Sequence, residues 1–401
     1  MRLTRRSFVL DGLRITALVP LAPRLALAAN CRSSRSRGER VLVVVQLTGG
    51  NDGLNTVVPH RQDAYFRMRP SIALARGALH ALDDDHGLHP EMGALAEVFG
   101  AGELAVVHGV GTPVPDRSHF RSLEMWHTAD PFAPAGEPAR EIGWLGRLAD
   151  QIAGADPEGT PALSIGGGDL PLSMRGERFL APTVRDFEGF RLHEASASFA
   201  RERDALLDAP GAGDLAFLRA AARTTYAAAR RMSEISAREE GSGYPESELA
   251  RELKLVASLV AGDFGTRIFH LSLAGFDTHA RQAPVHANLV QQLSAALAAF
   301  QHDLARKGIG ERVVTFVFSE FGRRAAENGS KGTDHGRGAP VFLMGAPVEG
   351  GMHGTPPDLE DLVEGDVRQT ADFRGVYALL EAGWMGLEPS TAETAMPLLK
   401  G

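Results

Sequence analysis

The chain has 401 residues, of which 44% are hydrophobic and 23% are charged, with 42 Lys and Arg against 50 Asp and Glu. A net charge of −8 argues against a general basic surface, so a nucleic-acid-binding protein is not expected. The single cysteine, Cys31, excludes an internal disulfide and a multi-cysteine zinc site, and any metal must be bound by His and carboxylates.

The first 29 residues have the order of a twin-arginine export signal. Arg5 and Arg6 precede Phe8, and a moderately apolar stretch then ends in small residues near Ala29. This order is typical of a signal peptide, and the apolar stretch is too short to span a bilayer. We expect a periplasmic or secreted protein that is exported by the twin-arginine translocase and has no transmembrane anchor. The alternative is a basic, poorly ordered N-terminal arm.

Removal of the signal makes the chain more acidic. Residues 1–28 carry a net charge of +4, so the mature chain has a net charge near −12. Its length and hydrophobic content are sufficient for one large α/β domain with a substantial core.

Five apolar runs predict buried strands. The first is a continuous β-branched run, which is typical of a central parallel strand covered by helices on both faces. The predicted strands span residues 40–47, 103–108, 267–273, 312–318 and 339–344.

Helical patterns lie between the strands. They span residues 92–100, 196–208, 214–236, 247–261 and 284–307, and the last repeats apolar residues at helical spacing. The alternation predicts an α/β fold with a doubly wound, mostly parallel sheet and helices on both faces. We expect one such domain over residues 40–398, with a loop-rich excursion at about 128–190 and a helical insertion at about 191–245.

Polar clusters follow or precede the predicted strands where ligands bind in open parallel sheets, at the carboxyl ends of the strands. Five segments that are distant in sequence are therefore expected to meet at one edge. They are Asn51-Asp52, Asp116–His119, Phe276–His279, Ser319-Glu320 and, just before the fifth strand, Thr333–Gly336.

These clusters predict a site for one or two divalent metal ions, Zn²⁺, Mn²⁺, Mg²⁺ or Ca²⁺. The candidate ligands are Asp52, Asp277, His279, Glu320, Asp334 and His335. Ser118 is the candidate nucleophile, since a metal ion can activate a hydroxyl. The candidate anion-binding residue in catalysis is Arg117, and the candidate substrate contacts are Asn51, His119 and Arg323.

Each motif also has a purely structural interpretation. Asp52-Gly53 is a common turn pair, and Ser118 could cap the helix that follows it. The segment from Asp277 to His279 could also cap a helix, and Glu320 could pair with Arg323 or Arg324 across one turn. The Asp334-His335 pair, in a glycine-rich loop, is the hardest to explain by packing.

Seven segments resemble the bacterial twin-arginine-exported family of unknown function called DUF1501, whose activity is not firmly established. The resemblance covers nearly the whole mature chain. The segments are Val43–Pro59, Arg117–Phe120, Gly143–Arg147, Gly275–Gln282, Ser319–Arg323, Gly332–Gly336 and Thr370–Tyr377.

The order of the motifs also resembles the alkaline phosphatase and sulfatase superfamily, more distantly. That resemblance implies a small anionic ester as substrate and two metal positions. One position would take Asp277, His279 and His335, and the other would take Asp52, Ser118 and Glu320. The superfamily has a His after the carboxylate where this chain has Phe321, which puts the second position in doubt.

The sequence therefore predicts an exported metal-dependent hydrolase of phosphate or sulfate esters with Ser118 as the nucleophile. The alternative is a non-catalytic exported binding or accessory protein that retains the hydrolase fold, and the departure at Phe321 favours that alternative.

Overall fold

The computed structural model describes residues 40–134, 141–155, 160–179, 181–184, 197–209, 219, 230–235 and 243–400. The export signal, Cys31 and most of the expected helical insertion lie outside these residues. Nine α-helices are numbered within the described residues: α1 Gly53–Thr56, α2 Asp63–Met68, α3 Gly93–Gly100, α4 His119–Thr128, α5 Trp144–Ala155, α6 Ala197–Asp208, α7 Glu248–Ala261, α8 Gln282–Arg306 and α9 Phe373–Ala378. A π-helical turn, Leu379–Trp384, continues α9.

Two sheets occur in the described part of the chain. The strands are β1 Val41–Thr48, β2 Val57–Val58, β3 His80–Ala81, β4 Gly87–Leu88, β5 Leu104–Gly111, β6 Ala162–Ile165, β7 Thr183–Val184, β8 Ile268–Ala274, β9 Val313–Ser319, β10 Ala339–Met344, β11 Gly351–His353 and β12 Ala371–Asp372. The main sheet has the order β11-β5-β10-β9-β1-β8-β6-β7, with β12 beside β5, and the small antiparallel sheet has the order β2-β4-β3. The five predicted strands are present, four of them shifted by one residue at their start.

The first predicted strand, β1, lies in the middle of the main sheet and is parallel to both β8 and β9. Its side chains alternate between two cores, so that Val43 packs into one and Val44 into the other. A strand buried on both faces has no polar face, which explains its continuous β-branched sequence. The predicted mostly parallel α/β sheet is confirmed.

Helices cover both faces of the main sheet, as the sequence predicted. Helices α3, α7 and α8 contribute to the core on one face, and α4, α5 and α9 contribute to the core on the other. The predicted long helix is α8, and its apolar positions Leu289, Leu293, Leu297, Phe300 and Leu304 are all buried.

The fifth predicted strand, β10, runs antiparallel to both of its neighbours, β5 and β9. The amino end of an antiparallel strand lies at the edge where its parallel neighbours have their carboxyl ends. The loop that precedes β10 therefore reaches the same edge as the loops that follow β5, β8 and β9, and this brings the polar clusters together.

The segment around residues 128–190, expected to be loop-rich, contains helix α5 and two strands of the main sheet, β6 and β7. Trp144, Leu145, Leu148 and Ile152 form a buried helical stripe on α5. The high Pro and Gly content of the flanking turns conceals this pattern in the sequence. Within the described residues, no helix combines the length and hydropathy that crossing a membrane requires.

Candidate metal centre

Three imidazoles converge on one carboxylate at the carboxyl edge of the main sheet. The Oδ1 atom of Asp277 lies 3.0 Å from Nε2 of His279 and 3.1 Å from Nε2 of His335. Nε2 of His119 lies 3.6 Å from the same oxygen. Ligand atoms of His119, Asp277 and His335 lie within 4.8 Å of one another, a spacing that can hold a metal ion.

Each imidazole has a hydrogen-bond acceptor at its other nitrogen, Nδ1. The acceptors are Glu320 Oε1 at 2.8 Å for His119, Asp334 Oδ1 at 3.1 Å for His279 and the carbonyl oxygen of Arg117 at 2.7 Å for His335. Since these partners can only accept, each Nδ1 carries the proton, and in the neutral ring Nε2 is left with a lone pair. Metal-binding histidines are oriented in the same way by carboxylates and carbonyls.

Nε2 of His279 also lies 2.9 Å from Nε2 of His335, so a proton or a metal ion between the two nitrogens is needed to make this contact favourable. With metal–ligand bonds near 2.05 Å, tetrahedral ligand atoms stand about 3.3 Å apart, close to the separations observed. The residues present thus fit a divalent metal ion.

Asp277 is kept ionised. Burial alone would raise the pKa of its carboxyl, but hydrogen bonds from Arg323 and His335 outweigh burial and lower the pKa to about 2. An ionised carboxylate is the form that binds a metal ion.

Arg323, expected to contact the substrate, instead connects the loops that surround the site. Its side chain is fully buried and donates within the protein. The acceptors are the carbonyls of Gly49, Gly50, Phe276 and Thr333 and the carboxylate of Asp277, the last at 2.7 Å. Its guanidinium therefore holds Asp277 in place and has no exposed surface for a ligand.

Asp52, expected to bind metal, lies in a separate buried network. Its Oδ2 accepts from Nη1 of Arg69 at 2.6 Å, and neither side chain is exposed. Burial alone would raise the pKa of Asp52, but the Arg69 guanidinium outweighs it and the pKa is lowered. Gln282 also donates to this carboxylate. Among the described contacts, no hydrogen bond or ion pair joins Asp52 directly to the three histidines.

Phe321, which stands at the sequence position where the resemblance expects a His, lies beside the histidines. Its ring centroid lies 4.9 Å from that of His119 and 4.7 Å from that of His335, and the side chain is buried. The ring also packs against Gly50, whose φ is +76°, and a Cβ atom at that position would collide with it. The chain thus has an aromatic ring at the position of one expected ligand, and a buried guanidinium beside another expected ligand, Asp52.

Ser118 occupies the N-cap position of α4, directly before His119, but its side chain makes no capping hydrogen bond. The residue is exposed, so its hydroxyl remains accessible. Asn51 is buried, and its side chain bonds to Thr56 and His286 instead of facing the site. Arg117 directs its guanidinium to Asp366, 2.5 Å away.

Two predicted residues lie the other way round from the expected arrangement, and one buried residue of the network, Arg69, was not predicted. Glu320 was expected to bind metal and His119 to bind substrate, whereas the imidazole faces the site and the carboxylate orients it. The two residues carried equivalent signals, since both follow predicted strands. Arg69 was not predicted, because an isolated arginine in a polar segment gives no sign of burial.

Comparison with protein-family models gives one match. The model described as "Protein of unknown function (DUF1501)" matches residues 39–375. No curated protein matches the chain.

Comparison with solved structures finds several proteins whose backbone follows a similar course at low sequence identity. The lipoteichoic acid synthase LtaP from Listeria monocytogenes has 11% identity and a TM-score of 0.39, over 94% of this chain and 80% of that one. A protein in the alkaline phosphatase superfamily from Vibrio parahaemolyticus has 13% identity and a TM-score of 0.39, over 90% and 76%. The PsFucS1 sulfatase from Pseudoalteromonas sp. has 11% identity and a TM-score of 0.39, over 96% and 74%. The function of this chain has to be inferred from its own side chains.

Proposed function

This chain belongs to the family of proteins of unknown function DUF1501, and we propose that it is an exported metal-dependent hydrolase of phosphate or sulfate esters. The observation that carries the proposal is the convergence of His119, Asp277 and His335, whose ligand atoms lie within 4.8 Å of one another. The Nδ1 atoms of the two histidines are bonded to Glu320 and to the carbonyl of Arg117, which turns Nε2 of each ring towards the Asp277 carboxylate.

The proposed metal site takes one ion and uses His119, His335 and Asp277 as ligands, with His279 beside them. Ligation by imidazole favours Zn²⁺ or a similar transition metal over Mg²⁺ or Ca²⁺, which prefer oxygen ligands. A divalent cation bound there would stabilise the negative charge that develops on a phosphoryl or sulfuryl group.

Ser118 is the proposed nucleophile. Its uncapped hydroxyl lies at the exposed start of α4, next to His119. Attack by Oγ on phosphorus or sulfur would form a serine ester and break the bond to the alcohol, which would leave with the proton of the hydroxyl. Water would then cleave the serine ester, release inorganic phosphate or sulfate and restore the hydroxyl.

The test begins with the metal content of the purified mature chain, measured by elemental mass spectrometry. Hydrolysis of an aryl phosphate and an aryl sulfate is then measured before and after treatment with a chelator. We expect one transition-metal ion per chain and turnover that chelator abolishes and Zn²⁺ restores. The variants His335→Ala and Asp277→Ala should lose both metal and turnover.

Two further variants separate the roles. Ser118→Ala should retain the metal and lose turnover, because the residue is not among the proposed ligands. His302→Ala, an exposed histidine on α8, should retain both. A metal-free and inert protein, or Asp277→Ala with unchanged metal content and turnover, would refute the proposal.

A second candidate function is favoured by Phe321, which packs on His119 and His335 where a further ligand was expected. In this alternative the chain is an exported binding or accessory protein with one structural metal. Full metal loading without turnover of either ester, together with full biological function in Ser118→Ala, would support it.

Export through the twin-arginine translocase is part of the proposal. The adjacent pair of Arg5 and Arg6 supports this part of the proposal. Replacement of both arginines by Lys should leave the full chain in the cytoplasm. Cell fractionation of native and variant chains tests this, and equal amounts outside the cytoplasm would contradict it.

A further inference from the structure

Three arginines converge on one buried carboxylate beside the candidate metal centre. Asp366, whose side chain is fully buried, lies 2.5 Å from Nη2 of Arg117 and 3.3 Å from Nε of Arg337. Nε of Arg324 lies 3.7 Å from its other oxygen. The side chains of Arg117 and Arg324 remain 39% and 37% exposed, so each guanidinium has a free surface as well as an internal anchor.

The arginines belong to the loops that form the metal centre. The carbonyl of Arg117 accepts from His335, and Arg337 follows His335 by two residues. The backbone N–H of Arg324 donates to the carbonyl of Asp334 at 2.9 Å. A ligand held by these arginines would therefore be adjacent to a group bound at the centre.

An exposed carboxylate of the protein already lies on this arginine cluster. Glu364, 69% exposed, lies 2.6 Å from Nη2 of Arg337 and 3.8 Å from Nη2 of Arg117. It sits at the tip of a tight hairpin, where Val363 and Asp366 exchange backbone hydrogen bonds. Its φ of +56° is unfavourable for a residue with a side chain. The hairpin thus presents a buried carboxylate, Asp366, and an exposed carboxylate, Glu364, whose place on the arginines a dissolved anion can take.

We propose that Arg117, Arg324 and Arg337 bind a second anionic group of the substrate, which takes the place of the Glu364 carboxylate. Asp366 orients the arginines, and Glu364 neutralises them when no ligand is present. Arginine is suited to this role because its planar fork binds oxyanions in pairs of hydrogen bonds. Resting on the proposed ester hydrolysis, this inference narrows the substrate to esters with at least one further sulfate, phosphate or carboxylate group.

The test measures binding of inorganic sulfate to the mature chain after chelator treatment, by calorimetry at low ionic strength, so that the metal centre does not contribute. Glu364→Gln removes the competing carboxylate and should bind sulfate roughly two- to fivefold more tightly, the effect of one partly exposed ion pair. Arg324→Gln should bind it more weakly by a similar factor. Both side chains are more than one third exposed, so neither variant should prevent folding.

The matched control is Asp361→Asn, which makes the same charge change in a neighbouring exposed pair, Arg368 and Asp361, 2.8 Å apart. Its sulfate affinity should equal that of the native chain. In the metal-loaded protein, Arg324→Gln should raise KM for an aryl ester with an added sulfonate group and leave KM for the parent ester unchanged.

The binding measurements test the anion site, and the kinetic measurements test the hydrolase, so each hypothesis can be refuted without the other. Equal sulfate affinities in the native, Glu364→Gln and Arg324→Gln proteins would overturn the inference and leave the arginines as a clamp on Asp366. Absence of turnover with the sulfate effects intact would instead count against the hydrolase and leave the anion site in place.

Discussion

The Oε1 atom of Glu320 lies 2.8 Å from Nδ1 of His119, and this contact determines which nitrogen of the ring faces Asp277. The carboxylate is fully buried and also accepts from the backbone N–H of Gly49 at 2.9 Å. The end of β9, the start of α4 and the end of β1 are thereby joined at one side chain. Orientation of the imidazole is built into the sheet edge itself.

Replacement of this carboxylate should weaken metal binding without removing a ligand. In Glu320→Gln the amide oxygen can still accept from Nδ1, but the negative charge that strengthens the imidazole as a ligand is lost. We expect roughly tenfold weaker Zn²⁺ binding, at the lower end of the effect of such supporting residues. Competition with a chromophoric chelator measures it, and an unchanged affinity would show that Glu320 does not support a metal ligand.

The protein should bind one metal ion per chain at saturation. Phe321 fills the space beside the histidines, and Arg69 already supplies the positive charge next to Asp52. A second cation near Asp52 would therefore meet a buried guanidinium. Equilibrium dialysis against excess Zn²⁺, followed by elemental analysis, gives the stoichiometry. Two tightly bound ions, one of which is lost in Asp52→Asn, would contradict this prediction.

Loss of one partner of the buried pair Arg69 and Asp52 should lower the free energy of unfolding much more than loss of both. Arg69→Met leaves a buried carboxylate without its partner and should cost about 3–5 kcal/mol in free energy of unfolding. The double variant Arg69→Met, Asp52→Asn should recover much of that loss, because no charge stays buried. Urea denaturation of the native chain, both single variants and the double variant measures the coupling.

A nearby exposed pair gives the control. Arg67 and Glu360 lie 2.5 Å apart with side chains 59% and 70% exposed, and Arg67→Met should cost less than about 1 kcal/mol. Similar losses in Arg67→Met and Arg69→Met would show that burial does not set the cost.

Glu252 on α7 should destabilise the protein at alkaline pH. Burial, with a smaller effect from Glu248, raises the pKa of its carboxyl to about 8, and Oε2 has no hydrogen-bond partner among the described residues. Because the folded-state pKa is above the unfolded value, the stabilising contribution is complete below about pH 4.5 and is lost as the pH rises through 8. At pH 9 the native chain therefore contains a charge that is largely withdrawn from water.

The variant Glu252→Gln should be more stable than the native chain at pH 9, by about 2 kcal/mol, and no more stable at pH 4.5. Thermal unfolding at the two pH values measures the difference. Glu246→Gln, at an exposed neighbouring residue, should have no such pH dependence. An equal gain at both pH values would show that the effect does not come from ionisation of Glu252.

The parts of the fold that were predicted are those that local sequence encodes. The β-branched run of β1 and the apolar spacing of α8 reflect burial of neighbouring residues, so both were found within two residues of their start. The direction of β10 depends on its partners β5 and β9, which are far away in the chain. No local pattern distinguishes a parallel from an antiparallel strand that is buried on both faces.

The same distinction applies to the candidate site. Residues at strand ends were expected to meet, and Asp277, His279 and His335 do lie together. Which side chain faces inward depends on packing: Glu320 lies behind His119, and Arg69 reaches Asp52 from a different loop. Sequence gives the types of residues at an edge but not the depth at which each side chain lies.

The antiparallel strand β10 has a consequence for how the protein is made. Within the described sheet, β5 and its neighbours β11 and β12 are joined to the central strands only through β10. During translation, β5 is therefore made long before residues 339–344, which join it to the central strands. Contacts so distant in sequence form slowly. The last histidine of the candidate centre, His335, reaches the sheet edge with the same segment. A chain released before this point would have an open sheet and would lack His335, so the candidate centre is complete only after this segment has been synthesised.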